Sequence, residues 1–367
     1  MSDSDVTVAA VVAAVHDAFP AEWAEAWDAV GLLAGDPGAP VRRAFVSLDV
    51  TADSVARALG ADADVLVTHH PAFIEVPSRL TPAASGPVFD ALAGGLALVA
   101  AHTNLDRAPA GAEALPALLG LTPSGPLEDA LLPLASVTVY VPREALPEIE
   151  SAIARVGAGR IGAYDACTFA AEGTGAFTPR AESDPVIGTR EARSSAEEVR
   201  LETVCPRSQT GAVVSAIREA HPYEEPLIKV CDTQIARGSA RMGRVCELAS
   251  PVSLAEFARG VESRIGGVVR VRGADSTQVA RVAVATGSAS SLVGAALRAR
   301  ADVLVAGEVR YHDAVNAAEA GCAVIEVGHD VSEWPLVPVL AEAVRSTPGL
   351  AREAVIVDAA QQHYWTP

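Results

Sequence analysis

The sequence predicts an α/β protein: a discontinuous, internally duplicated α/β domain with mostly parallel sheets, interrupted by an inserted α+β module of ferredoxin-like order. Three observations predict it. Short, continuously apolar runs alternate with helical patterns on both sides of the middle of the chain, as in parallel sheets covered on both faces. A segment near the start, LGADADVLVTHH (59–70), recurs near the end as LRARADVLVAGE (297–308). Between them, the pattern changes to strand–helix–strand–strand–helix–strand. The expected divisions are 1–125 and 236–367 for the two halves of the α/β domain and 126–235 for the insert.

The elements follow in order. Apolar residues from Val6 to Phe19 fall on a helical repeat, with Thr7 as the cap. Then come the strand AFVSLDV (44–50), a helix led by Thr51 to Leu59, the strand DVLVT (64–68), a helix through 88–93 and the strand LALVAA (96–101). The middle segment offers LASVTVYVP (134–142), a helix over 144–156, a Gly-rich passage (157–177), VRLETVCP (199–206), a helix over 208–220 and HPYEEPLIKV (221–230). Its stretch 178–197, rich in Pro, Glu, Ser and Arg, reads as a long exposed loop. After a linker near Ile235–Ser239 the alternation resumes: ARVAVAT (280–286), a helix over 289–299, DVLVAG (302–307), a helix over 311–319, AVIEV (323–327) and a helix from Glu333.

Composition narrows the function. The 367 residues carry 46 acidic and 28 basic side chains, a formal net charge of −18, and Lys229 is the single lysine. That field repels nucleic acid and anionic membranes, so neither is an expected partner. Aromatic residues make up only 4% of the chain, so the core is expected to be built from Ala, Val, Leu and Ile. The five cysteines include no C-x-x-C pair, as expected for reduced thiols in a reducing compartment. The first residues are acidic where a secretory leader is basic, and the apolar stretch near 91–101 is about half a membrane span. A cytoplasmic protein is expected.

Four of the eight histidines (His69, His70, His102, His329) follow predicted buried strands, where open parallel sheets bind their ligands. Adjacent residues at a strand end point different ways, so His69 and His70 suit two neighbouring metal ions better than one. Such a pair needs a bridging carboxylate, and Asp106 and Glu333 are offered from strand ends of their own. Matching LVAAHTNLD (98–106) with IEVGHDVSE (325–333) sets His102 opposite His329 and Asp106 opposite Glu333. A mixed imidazole and carboxylate set leaves Zn, Fe and Mn open, and the lack of cysteine in these loops argues against a closed structural zinc site.

Other candidates surround this set. Glu308 and His312, four apart in GEVRYHDA (307–314), would share a helix face. They read as an acid–base pair beside the metals or as a capping Glu and a surface His. His102 fits a ligand or an orienter of Asp106. HPYEE (221–225) reads as a docking loop or a further ligand site, and GAGRIG (157–162) follows a helix instead of preceding one, so it fails as a phosphate loop. His16 and His363 carry no expected role.

WDAVGLLAGDP (27–37), VTHHPAF (67–73), AHTNLD (101–106), GEVRYHDA (307–314) and VGHDVSE (327–333) resemble the NIF-three-like family, often labelled GTP cyclohydrolase 1 type 2 homologues. The insert, with GTGAF, RLETV and HPYEEP, resembles the long-form members. The family pattern has Asn after the first WD, where this chain has Ala29. The resemblance implies two divalent metal ions held by His69, His70, Asp106, His329 and Glu333. It further implies a homohexamer built as a trimer of dimers, and a PII/CutA-like insert over the openings of the ring. Two functions follow from the residues and the resemblance together. One is a metal-dependent hydrolase acting on a nucleotide or a related phosphorylated or heterocyclic small molecule, with Glu308 or His312 moving protons. The other is a non-catalytic metal-binding ring, a scaffold or a sensor whose insert binds a small ligand.

Overall fold

The structure, a computed structural model, describes residues 6–359 apart from Ala26, Ala130, Ala163 and Arg237. His363 lies outside the described residues. In chain order the elements are α1 (Val8–Ala18), β1 (Gly31–Ala34), β2 (Ala44–Ser47), α2 (Ala52–Gly60), β3 (Val65–Thr68), α3 (Pro82–Ala93), β4 (Ala97–Ala100), α4 (Thr103–Arg107), α5 (Pro109–Leu118) and β5 (Pro123–Pro126). Next come β6 (Leu131–Pro142), α6 (Leu146–Arg155), β7 (Thr168–Phe177), β8 (Ser194–Cys205), α7 (Thr210–Ala220) and β9 (Ile228–Ala236). The chain ends with β10 (Arg244–Ser253), α8 (Leu254–Ile265), β11 (Arg270–Arg272), β12 (Gln278–Val284), α9 (Val293–Arg298), β13 (Val303–Ala306), α10 (Tyr311–Glu319), β14 (Ala323–Glu326), α11 (His329–Glu333), α12 (Leu336–Arg345) and β15 (Val355–Val357). They form two compact units, Met1–Asp129 with Gly238–Pro367, and Ala130–Arg237.

The first unit holds two sheets, ordered β1-β4-β3-β2-β15 and β11-β14-β13-β12-β10-β5. In the first, β15, β2, β3 and β4 run parallel and only the edge strand β1 is antiparallel. In the second, only β12, β13 and β14 are parallel, whereas β10, β5 and β11 pair antiparallel. The expectation of mostly parallel pairing is therefore corrected for this sheet: β10 and β11 flank a parallel core. Both faces of each parallel core are buried, which is why these strands read as unbroken apolar runs. Val65 and Val67 of β3 face a cluster containing Val11, Val15 and Leu340, while Leu66 between them faces Val55, Ala58 and Val88. On β13, Val303 and Val305 join Leu254 and Val261, while Leu304 and Ala306 join Ala296 and Ala317.

The helix caps are local chemistry. Thr7 accepts from Ala10 N at the start of α1, and Thr51 and Ser54 form a reciprocal capping box at the start of α2. The helix expected from Glu333 starts later, at Leu336. Glu333 instead closes the one-turn α11, and Pro335, which has no N–H to donate, stands between the two helices.

The ADVLV repeat has a shared structural role. Asp302, just before β13, accepts Ala280 N and Arg281 N at 2.8 Å each, and Asp64, just before β3, accepts Arg42 N at 2.7 Å and Arg43 N at 3.0 Å. Arg281 and Arg43 both cap the preceding helix end, donating to Ala299 O and Ala61 O. The strand register, however, corrects the second half of the match. Val65 pairs with Ala97 and Val303 with Ala323, so His102 falls opposite Gly328 and Asp106 opposite Ser332. The sequence match had slipped by one residue.

In the second unit a four-stranded sheet is antiparallel throughout, ordered β7-β8-β6-β9. Alternate residues of its central strands (Val137, Val139, Val141, Leu201) bury against Ile149 and Ile153 of α6 and Val213 and Ile217 of α7. Among the described residues no helix is long and apolar enough to cross a membrane.

Because Asp302 satisfies two backbone N–H groups in a half-buried setting, Asp302→Ala is expected to lower stability by about 1–3 kcal/mol. Urea unfolding should show a smaller loss for Asp64→Ala, whose bonds face solvent.

Candidate metal centre

The carboxyl ends of β3, β4 and β14 deliver the chemistry. His69 and His70 follow β3, and a bond from Thr68 Oγ1 to His70 O (2.7 Å) and one from His70 N to Leu48 O (2.9 Å) fix the turn. His102 caps α4, which carries Asp106, and α11 opens with His329 and ends with Glu333. Their four-residue spacing puts the last two on one helix face, with His329 Nε2 3.2 Å from Glu333 Oε2.

Three groups of possible ligand atoms converge, each within 4.8 Å mutually: His69, Asp106 and Glu333; His70, His329 and Glu333; and His69, His70 and His102. Glu333 belongs to two of them. Its Oε1 lies 3.7 Å from His69 Nε2 and its Oε2 2.9 Å from His70 Nε2, while Asp106 Oδ2 is 3.8 Å from His69 Nε2. His69 is fully buried and Glu333 nearly so, whereas the side chains of His70 (23% exposed) and His329 (37%) reach the surface. The centre is thus closed below and open on one side.

Every imidazole is held by its other nitrogen. His69 Nδ1 bonds Ala101 O at 3.0 Å, His70 Nδ1 bonds Asp49 at 2.7 Å, His102 Nδ1 bonds Asp28 at 2.8 Å and His329 Nδ1 bonds Glu308 at 3.3 Å. With a proton on each Nδ1, the Nε2 lone pairs of His69, His70 and His329 face carboxylate oxygens that also carry lone pairs, and that of His102 faces His69 and His70. His69 Nε2 and Glu333 Oε2 are accordingly buried without a hydrogen-bond partner. Neutral imidazoles and carboxylates in this arrangement repel one another unless positive charge enters, as protons or as metal ions. The donor set fits divalent metal, and carboxylate or carbonyl support behind each histidine is what orients such ligands.

Electrostatics state the same demand. Burial disfavours the imidazolium of His70, but Asp49 and Glu333 outweigh it and raise its pKa to about 10. His329 is raised to about 9, chiefly by its bond to Glu333. His69 is raised as well, burial being overcome by Asp106 and Glu333. Burial pushes the Glu333 carboxyl upward, yet His329, His69 and His70 hold it well below the usual range. Asp28 is buried, but His102 and Thr103 bring it down to about 2.

The structure brings His69, His70, Asp106, His329 and Glu333 together. Glu308 stands at the rim against His329, but it does not share a helix face with His312. The helix starts at Tyr311, because Glu308 is bridged to the 287–288 turn through a bond from its N to Gly287 O. His312 is exposed, with its ring beside Tyr311. His102 is oriented by Asp28 and turned toward His69 and His70. It does not orient Asp106, which accepts from Thr286 Oγ1 at 2.8 Å. His16 lies half-buried beside Gly31. Sequence reasoning missed Asp28, Asp49 and Thr286; the one signal for Asp49 and Thr286 was their own position just beyond the ends of β2 and β12. Gly287 is also required, since a Cβ there, at φ +56°, would stand 2.1 Å from Glu333 Oε1.

The family model Duf34/NIF3 (NGG1p interacting factor 3) matches residues 6–362. A protein of Mycobacterium leprae named GTP cyclohydrolase 1 type 2 homolog is 34% identical over 356 residues, covering 94% of this chain and 91% of its own. One of the same name from Bacillus subtilis is 34% identical over 316 residues, 84% of each chain. The crystal structure of a Bacillus cereus protein related to NIF3 matches with a TM-score of 0.61 at 30% identity, covering 96% of both chains.

Two outcomes are expected. Gly287→Ala should displace the Glu333 carboxylate and lower the zinc taken up in a titration followed by calorimetry. The raised histidines stabilise the metal-free fold fully below their unfolded pKa of about 6.5 and lose that contribution as pH rises through about 9 and about 10. Urea midpoints of chelator-treated protein should therefore fall between about pH 7 and about pH 10, and added zinc should flatten the decline.

Proposed function

The chain belongs to the Duf34/NIF3 family, and from that premise we propose that it holds two divalent metal ions and uses them in hydrolysis of a nucleotide or a related phosphorylated or heterocyclic small molecule. The observation that carries the reading is Glu333, shared between a group with His69 and Asp106 and a group with His70 and His329. A carboxylate with one oxygen toward each group suits a pair of ions bridged by it. His69, Asp106 and Glu333 would hold one ion, and His70, His329 and Glu333 the other, with His102 adjacent to both histidines of the β3 end. Zn, Fe and Mn all accept this donor set.

Two such ions would supply Lewis acidity toward a phosphoryl or ring-amide oxygen and an acidified water. The chain's own residues do the rest. Asp49, Asp28 and Ala101 O fix the imidazoles, Thr286 fixes Asp106, and the open side past His70 and His329 admits substrate. Glu308, half-exposed and 3.3 Å from His329 Nδ1, would pass protons between that rim and solvent. His312 is outside this relay.

Other parts of the reading rest on family membership and topology. The shared roles of Asp64 and Asp302 and the matching order of β4-β3-β2 and β14-β13-β12 support an internally duplicated domain. The β–α–β–β–α–β order and the β7-β8-β6-β9 sheet support a ferredoxin-like insert of PII/CutA type. We take the protein to be a cytoplasmic homohexamer, a trimer of dimers; its five cysteines are free thiols, as that compartment requires.

The test is metal analysis of protein purified without chelator, followed by a product-detecting screen of nucleotides that includes GTP. Wild-type protein is expected to carry two ions per chain, Asp106→Asn about one, and Glu333→Ala neither, with turnover lost to chelator and restored by metal. Protein that stays metal-free after reconstitution would overturn the reading. Full metal loading with no turnover on any nucleotide would favour the metal-holding ring without catalysis.

A further inference from the structure

The HPYEE segment, which the metal chemistry does not use, borders a cavity of about 510 Å³ in the inserted unit. His221 is the buried pin of this segment. Its Nε2 bonds Tyr140 O at 2.9 Å and its Nδ1 accepts Tyr223 N at 3.0 Å. The pin turns Tyr223, Glu224 and Glu225 to the cavity wall, opposite the end of β7 and the loop after it.

The lining has two characters. Rings of Tyr140, Phe177 and Tyr223, with Val186 and Leu227, make an apolar wall. The charged groups in that wall are all acidic: Asp184, Glu198, Glu224 and Glu225, and no described Lys, Arg or His lines it. The chain's own cations stay beside it. Arg190 pairs with Asp184 at 3.6 Å, and Lys229 donates to Tyr140 Oη at 3.0 Å from outside the lining.

Two details show that the acidic end is built. Glu198 occupies the space that a side chain on Gly175 would need, since a Cβ there would come within 2.2 Å of Glu198 Oε2. No cationic side chain among the described residues pairs with Glu198. Tyr223 Oη is buried with no partner at ordinary hydrogen-bonding distance, and burial, then the Glu198 carboxylate nearby, push its phenol well above the ordinary value. A neutral hydroxyl is therefore kept beside a carboxylate without a counter-charge.

We propose that this cavity binds an organic cation, a protonated amine or quaternary ammonium on an apolar body, with its charge at Glu198 and its body among Tyr140, Phe177 and Tyr223. Aromatic faces attract such cations, and the apolar wall receives the hydrocarbon. Anionic ligands such as nucleotides are repelled by the four carboxylates. The site lies wholly within the inserted unit and stands whether or not the metal centre is catalytic.

The experiment is calorimetric titration of the full chain with benzyltrimethylammonium, and with phenylacetate as an anion of similar size. Saturable binding of the cation and none of the anion is expected. Glu198→Gln should weaken the cation about tenfold, the loss of one charge-assisted contact. Leu227→Arg, at a residue already 58% exposed, places a competing cation at the wall without disturbing the core, and should weaken binding as much; it decides the question should Glu198→Gln fail to fold. Absence of saturable binding, equal binding of phenylacetate, or unchanged affinity in Leu227→Arg would overturn the proposal.

Discussion

Four imidazoles held by their Nδ1 atoms, three of them (His69, His70 and His329) with Nε2 turned toward the carboxylates of Glu333 and Asp106, set the terms for the rest of this structure. Ala101 O, Asp49, Asp28 and Glu308 take the outward bonds. The inward faces then hold only lone pairs and negative charge around Glu333. A fold that buries such a set favours cations within it, and the upward shifts of His70 and His329 and the downward shift of Glu333 have the direction that such a demand requires. Metal ions would answer it without holding every histidine protonated at neutral pH.

The framework around it is rigid where the site needs rigidity. Parallel strands buried on both faces leave their carboxyl ends as the natural place for polar groups. Asp64 and Asp302 tie the starts of neighbouring strands in the same way in both sheets. The two sheets nevertheless contribute unlike residues: two histidines follow β3 where Gly307 and Glu308 follow β13, and the register sets His102 against Gly328. The two sheets share the order of their central strands, and the site's ligands lie where the two differ. At the site Gly287 and Gly307 mark close approaches, each leaving space that a Cβ would take from Glu333 or Ser332.

The strong acidity of the chain acquires a local meaning in both units. In the first, carboxylates alternate with imidazoles, a mixture suited to small hard or borderline cations. In the second, carboxylates alternate with aromatic and aliphatic surface, a mixture suited to larger, softer cations. The same net charge of −18 thus supports two different recognitions, separated by what surrounds the negative groups.

Much of this was legible in the residues alone. The apolar runs of β2, β3, β4, β12, β13 and β14 announce parallel strands because both their faces are buried, and the Thr7 and Thr51 caps are visible because capping is local. Histidines and carboxylates just past those strands announce the ligand set. The edge strands β1 and β11 were not legible: β1, GLLA, is apolar but only four residues long and without alternation, and β11 is fully exposed. Nor could spacing reveal that Asp28, 74 residues from His102, and Asp49, 21 residues from His70, would fix the rings. Only tertiary structure decided which nitrogen of each histidine faces inward, that Glu333 is shared, and that Glu308 and His312 part company. The reason is physical: periodicity records which face of a local element is buried, while the orientation of an imidazole is set by a hydrogen bond from wherever the folded chain brings its partner.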